Sequence, residues 1–583
     1  MLEERSVRAG PMPAAPPAWM LLAATVAVMA ALPCPAAPAL FRDVAEEAGL
    51  TDVFRCGRDD RKDYIIEAVG SGVALLDYDR DGDLDAFFVS GSTLEGFPPG
   101  QHPSSHLYRN DGDGTFSNVT DAAGLRSEGW GHGACVGDFD NDGFDDLFVT
   151  YFGPNLLYRN TGRGAFADAT APWGLGSEDR WSTGCAFVDY DRDGWADLFV
   201  ANYLVFDRER IPAKGSGPTC QWKGHPVLCG PRGLPGESNQ LFRNLEGARF
   251  QEVSRESGIA SLAGRYSLSV TPLDYNGDLW PDIYVAVDSQ ASILFENNGD
   301  GTFTDIGVIA GAALDEHGGV QAGMGSVAAD LDGDGRLDLL KTNFIEETSN
   351  VYINSADGAF LDRVHVMGAG ISANYMGWGV EAFDFDRDSW PDAIVANGHI
   401  HPEIEGLVPN NPYRQPRLLY RNLGGRRLEP LAEWDGTEGA GRHSSRGLAK
   451  GDYDNDGDVD IFINNMNASP SLLRNDSQPA GDFLSLWLVG VRSNRSAIGA
   501  RVTVIANGRK LVQEVRSGSS FLSSSDLRLH FGLGENAEIE SVVVDWPHPA
   551  SRDMLTEVRP NEFLEVTEGA GITARRRTGA GER

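Results

Sequence analysis

Seven times along the chain an aspartate-rich loop recurs with the spacing D-x-D-x-D-G-x-x-D, each copy followed by a short apolar stretch. The loops supply Asp77, Asp79, Asp81 and Asp85; Asp138, Asp140, Asp142 and Asp146; Asp189, Asp191, Asp193 and Asp197; Asp274, Asn276, Asp278 and Asp282; Asp330, Asp332, Asp334 and Asp338; Asp384, Asp386, Asp388 and Asp392; and Asp452, Asp454, Asp456 and Asp460. Carboxylates at positions one, three and five converge on one point when the backbone turns tightly at the glycine. A carbonyl at position seven and the carboxylate at position nine would complete six or seven oxygens, a shell that suits Ca²⁺ better than the smaller, stricter Mg²⁺. Zinc would call for nitrogen or sulfur. The closing acid stands at position nine rather than twelve, as in an EF-hand, and β-type residues flank the loop. The expected element is therefore a calcium-bound β-hairpin. One Asp/Gly-rich stretch can be a mere turn, but seven in-register copies argue for a shared role. Two copies depart and are expected to be weaker or empty: the Asp274 loop has Asn276 at position three and Leu279 in place of glycine, and the Asp384 loop has Ser389 there.

The first aspartates follow one another at 61, 51, 85, 56, 54 and 68 residues, a period that suits a propeller better than a solenoid. In phase with them run LYRN-like strands: HLYRN from His106, LLYRN from Leu156, LFRN from Leu241, LFEN from Leu294, VYIN from Val351, LLYRN from Leu418 and LLRN from Leu472. Several continue into a fourth strand, as in FSNVTDAAGL from Phe116. The expected fold is all-β, a seven-bladed β-propeller over 40–478 followed by a small β-sandwich-like domain over 481–570, where apolar and polar residues alternate without acidic loops. The tail 571–583 is basic and expected to be disordered. The seventh repeat stops at LLRND while a fourth-strand sequence, FRDVAEEAGL, stands ahead of the first at Phe41. The N-terminal strand should therefore complete the last blade. The two long insertions, 203–240 and 397–417, both join a second strand to a third, which places them on the face away from the acidic loops.

The net charge of −36 argues against nucleic acid as a partner. Ligand-position carboxylates, four in each of six loops and three in the Asp274 loop, supply 27 of those charges, so the acidity is mostly loop chemistry. Residues 1–39 read as a secretory signal peptide: Arg5 and Arg8, the apolar run Ala18 to Leu32, then a small-residue site at Ala37 to Ala39. That apolar run is short for a membrane span, and nothing downstream is long enough to be one. A lipoprotein signal ending at Cys34 is disfavoured by Pro33. The chain is expected to be secreted, periplasmic or at the cell surface, and monomeric. In an oxidising compartment Cys220 and Cys229 are expected to form a local disulfide. Cys135 and Cys185, in apolar strands, read as buried thiols, and Cys56 has no evident partner.

The repeats resemble the FG-GAP or VCBS calcium repeats of integrin alpha-subunit propellers. NRSAIGARVTV from Asn494, HFGLG from His530 and VVVDWP from Val542 resemble the ASPIC/UnbV domain, and CGPRGLPG from Cys229 with NGHIHPEIE from Asn397 adds to a similarity with bacterial relatives of the cartilage acidic protein family. The resemblance implies a secreted calcium-binding propeller. UnbV-type proteins also occur in natural-product gene clusters, which leaves a biosynthetic role open. The leading expectation is an extracellular module that binds protein or glycan, with structural calcium. Trp130, Trp181, Trp222 and Trp378 are candidate stacking surfaces for sugar rings, with packing between blades the more ordinary role. The alternative is an enzyme or biosynthetic accessory protein with its site opposite the calcium loops. There His399, His401 and Glu403 alternate in H-I-H-P-E and could hold a transition metal or exchange protons.

Overall fold

The computed structural model describes Gly10 and residues 40–98, 101–176, 179–432, 434, 441–477, 481–548 and 551–577. The signal segment and the Cys34 alternative lie outside the described residues. From Ala39 to Arg583 the chain is one compact unit. It is almost entirely β; its α-helices, among the described residues, are the four-residue segments Ile66–Val69 and Gly307–Ala310.

Each repeat folds as four antiparallel strands, as in Val73–Leu76, Asp85–Phe88, His106–Asn110 and Phe116–Asn118. In every repeat the position-nine aspartate opens the second strand and pairs with the residue just before the loop, from Leu76↔Asp85 to Gly451↔Asp460. The acidic loop is thus the turn of the first hairpin. The first strands neighbour one another in chain order, and the seventh, Ser445–Gly451, returns against Val73–Leu76. This circuit of four-stranded sheets is consistent with propeller blades. Backbones approach closely where first strands meet: a Cβ on Gly325 would lie 2.2 Å from the Trp378 carbonyl oxygen. Phe41–Asp43 pairs with Ser471–Asn475 and supplies the last repeat's fourth strand, as the register in the sequence predicts. Phe41 is fully buried against Phe383, Phe385 and Trp434.

The C-terminal β domain has two four-stranded sheets. One contains the parallel pair Asp482–Val489 and Glu562–Thr567; the other is built around Arg501–Ala506. Two expectations need correction here. First, residues 571–577 of the tail are not disordered: Gly571–Arg577 is an edge strand on Glu562–Thr567. Its basic residues are held by specific partners, because Arg575 and Arg577 pair with the buried Glu562 and Arg576 covers the Phe563 ring.

Second, the C-terminal domain is not a separate body. It sits on the acidic-loop face, and its segment 517–526 enters the middle of the circuit. Ser520 exchanges backbone hydrogen bonds with Ser326, Ser524 with Val73 and Leu75, and the Leu522 carbonyl accepts from Ala134. Ser517 and Ser520 hydroxyls accept the N–H groups of Phe187 and Val380. Phe521 and Leu522 join Trp130, Trp181, Leu268, Met324 and Trp378 in one apolar cluster. The physical reason is that innermost strands have no fifth strand to pair with, and buried N–H and C=O groups must find partners. A serine-rich extended segment provides them. The fit is close: a Cβ on Gly72 would lie 1.7 Å from the Leu522 carbonyl oxygen.

Candidate metal loops and the opposite face

All seven loops share one hydrogen-bond plan. Oδ2 of the position-one aspartate accepts the N–H of position six, at 2.6–3.2 Å. Oδ2 of position nine accepts the N–H of position two, and its Oδ1 accepts the N–H of the asparagine that ends the third strand. Position five uses Oδ1 to accept the N–H of position seven. The backbone is left-handed at position six, as the glycine pattern requires, with φ between +69° and +95°. It is left-handed at position four as well, where Arg, Asn or Gly stands.

Carboxylate oxygens of positions one, three and nine come within 4.8 Å of one another in the triads Asp77/Asp79/Asp85, Asp138/Asp140/Asp146, Asp189/Asp191/Asp197, Asp330/Asp332/Asp338 and Asp384/Asp386/Asp392. These are buried Asp triads typical of FG-GAP calcium loops. The Asp384 copy assembles like the rest, since Ser389 takes φ +71° and keeps the bond to Asp384. The position-five carboxylates, also expected as ligands, stand outside these triads. The donor set fits a hard cation: Oδ1 of Asp79, Asp191 and Asp386 is buried without a hydrogen-bond partner, which is costly for a carboxylate oxygen unless a cation faces it, while Arg243 and Arg421 pair with Oδ2 of Asp191 and Asp386. Burial, reinforced by neighbouring acids, pushes the carboxyls upward, Asp77 to about 6, Asp138 to about 8 and Asp85 to about 9.

Arginines of the repeats pair with Asp140, Asp191 and Asp386, and the Asp274 loop receives its cation from the C-terminal domain. Arg501 of the C-terminal domain lies 3.3 Å from Asp274 Oδ2 and donates to the Gly335 carbonyl of the next loop at 2.7 Å. Elsewhere on this face Arg509 donates to Ser389 and stacks on Trp390, and Arg528 donates to the Asp452 carbonyl. The loops thus lie at an internal interface.

The asparagines of the LYRN-like strands have a role that sequence reasoning missed. Asn110, Asn160, Asn244, Asn297, Asn354, Asn422 and Asn475 each donate from Nδ2 to the position-two carbonyl of the preceding repeat's loop, at 2.7–2.9 Å. The first closes onto the seventh through Tyr453. These seven bonds form a belt that ties every acidic hairpin to its neighbour. The signal was present in the sequence as an asparagine at the same phase in all seven repeats.

On the face away from the loops the two insertions pack together. Cys220 and Cys229 form the expected disulfide. Trp222 packs with Val227, Ile404 and Val408 and donates to Asn411 at 3.0 Å, and Lys214 pairs with Glu403. Trp130, Trp181 and Trp378 are 6, 1 and 3% exposed in the apolar cluster around Phe521, so these three serve packing; Trp222 is half-buried. His399 Nδ1 accepts the backbone N–H of His401 at 3.1 Å, and its Nε2 is buried without a partner. Burial lowers His399 to about 3 and holds His401 well below the usual imidazole range, so both rings are neutral. Glu403 pairs with Lys214 through Oε1, while Glu403 Oε2, His399 Nε2 and His401 Nδ1 are buried without hydrogen-bond partners. Under the insertions lies a cavity of about 260 Å³.

Acidic hairpins repeated around a circuit of four-stranded sheets, with a β domain set into it, define a β repeat protein. The FG-GAP-like repeat profile matches residues 77–149, 138–200 and 274–341, and the ASPIC and UnbV profile matches 490–573. The chain carries FG-GAP-like repeats plus a C-terminal ASPIC and UnbV domain and is distantly homologous to cartilage acidic protein 1. It is 28% identical to the Mus musculus protein over 396 residues, covering 65% of this chain and 54% of the relative. With the Xenopus tropicalis protein it is 26% identical over 506 residues, covering 82% and 70%. The chain spans about half the length of the mouse and human relatives. Among solved structures it is similar to the BP39L lectin from Burkholderia pseudomallei (TM-score 0.42, 10% identity, 70% of this chain and 97% of that one). It is also similar to an Agrocybe aegerita lectin that recognises non-reducing terminal N-acetylglucosamine (TM-score 0.38, 16% identity, 69% and 86%).

Proposed function

We propose that this protein is a secreted, calcium-binding seven-bladed β-propeller with a β-sandwich-like C-terminal domain, acting as an extracellular module that binds protein or glycan. The observation that carries the calcium half is the convergence of buried, partnerless carboxylate oxygens in the loop triads. A structural role for the metal is supported by the packing of the C-terminal domain on that face, where it contacts the loops while their position-five carboxylates stay exposed. The rigid circuit then offers its insertions, on the other face, for recognition, as variable loops on rigid scaffolds commonly do. Carboxylates at positions one, three and nine would hold the ion, with the position-seven carbonyl and position five completing the shell; calcium bound there supplies the positive charge that lets the hairpins stay folded.

Thermal unfolding with calcium and with EGTA, followed by glycan and extracellular-protein arrays, tests both halves. Calcium should raise the melting temperature by mass action. An unchanged melt would remove the metal; arrays without a specific signal would remove recognition.

A further inference from the structure

The cavity beneath the two insertions has the chemistry of a small-molecule site. Its volume, about 260 Å³, is far above the water-sized gaps of a close-packed interior and just under the usual range for ligand pockets, ~300–1,000 Å³. Ile65, Val69, Leu268, Met324, Phe344 and Trp378 make its walls mainly apolar. The polar groups that border it are mostly committed. Tyr203 donates to Asp288 at 2.5 Å, Ser289 donates to Asp288 at 2.8 Å, and Glu347 accepts the Ala322 N–H at 2.7 Å. His401, 3% exposed, is different: its Nδ1 is buried and has no partner. Exposed Thr219, Gln221 and Arg232 also line the cavity.

We propose that this cavity binds a small uncharged ring compound, apolar over most of its surface and carrying one hydrogen-bonding group that pairs with His401. The walls remove apolar surface from water, and the His401 imidazole, the polar ring in the lining with no side-chain hydrogen bond of its own, sets orientation, the usual division of labour in such sites. Asp288 and Glu347 disfavour an anion, with Arg232 the opposing charge in the lining. A sugar carries more hydroxyls than mainly apolar walls can pair, and each hydroxyl buried unpaired counts against binding. The inference deepens the recognition reading and rests on its placing ligand contacts away from the acidic loops.

Indole is the probe, titrated calorimetrically into the full-length calcium-loaded protein, with methyl glucoside and benzoate as the sugar and anion arms. Indole should bind one to one with a negative heat-capacity change, and more tightly than either comparison compound. Ala322→Phe, which fills the cavity, should abolish the heat, and His401→Phe should weaken binding roughly tenfold, the worth of one hydrogen bond. Melting temperatures are measured alongside; if Ala322→Phe does not fold, Ile400→Trp at the half-buried rim narrows the same space. No indole binding by the wild type, undiminished binding by the filled variant, or preference for glucoside or benzoate would overturn the proposal. Array binding and indole binding fail separately, because the titration needs no macromolecular partner.

Discussion

Replacing Asn160 with alanine is a direct test of the asparagine belt. Asn160 is fully buried; Nδ2 donates to the Tyr78 carbonyl at 2.7 Å and the Asp145 carbonyl at 3.2 Å, and Oδ1 accepts the Gly162 N–H at 3.0 Å. Alanine would remove all three bonds while leaving the residue's own N–H on Asp146 Oδ1. A buried backbone group stripped of its partner costs about 1–3 kcal/mol, so three of them together give about 3–5 kcal/mol once local relaxation is allowed for. With an unfolding entropy near 2.1 cal/mol/K per residue, a cooperative unit of this size has roughly 1.1 kcal/mol/K in all, and the melting temperature should fall by about 3–4 °C. Asn160→Asp should be at least as harmful, because it turns a carboxylate oxygen toward two carbonyls. Differential scanning calorimetry in excess calcium reads the effect, with exposed Asn298→Ala, which loses bonds to Thr302 and Thr304, as the control. If Asn160→Ala melts no lower than that control, the belt is not a source of stability and the argument is wrong.

Chelation should cost more at pH 8 than at pH 5. Asp77, Asp138, Asp189 and Asp330 are raised, chiefly by burial, to about 6, 8, 7 and 6, above the ~3.9 of an unfolded aspartate. In chelator their stabilising protonation is complete below about pH 4 and lost as pH rises through 6 to 8; melts across that range should show calcium restoring most at the alkaline end, and a pH-independent calcium effect would contradict it. Leu279 occupies a left-handed position, φ +69°, so Leu279→Gly should stabilise by about 0.5–1 kcal/mol in thermal melts. Phe521, fully buried with its ring 4.8 Å from that of Trp378, anchors the inserted segment; Phe521→Ala should cost about 3–5 kcal/mol and open residues 517–526 to limited proteolysis.

What could be read from the sequence was what repeats or stays local. The acidic hairpins, the third strands and the displaced fourth strand at Phe41 recur at one phase, and that phase already contained the closing register. The Cys220–Cys229 link joins neighbours in one loop. The asparagine belt was visible as a letter but not as a bond, because its acceptor belongs to the previous repeat, 82 positions away for Asn160 and 343 for Asn110. SGSSFLSSSD has the composition of a linker, and nothing local distinguishes serines that face water from serines that face unpaired strand edges. Likewise Arg575 and Arg577 look like a solvated tail until Glu562 is placed beneath them. The H-I-H-P-E alternation shows the complementary limit: spacing cannot show that a backbone N–H has taken one imidazole nitrogen.

The inserted segment also sets an order of events during synthesis. The ring is closed by its first-made strand, Phe41–Asp43, which must wait for Ser471–Asn475, and its interior is furnished by residues 517–526, which are made later still. Until they arrive, Trp130, Trp181, Met324 and Trp378 lack Phe521 and Leu522, and the innermost strands lack their last hydrogen-bond partners. A ribosome-bound or truncated chain therefore presents an apolar, partner-seeking bore, the kind of surface that chaperones hold and aggregates recruit. The domain made later is the one that finishes the earlier.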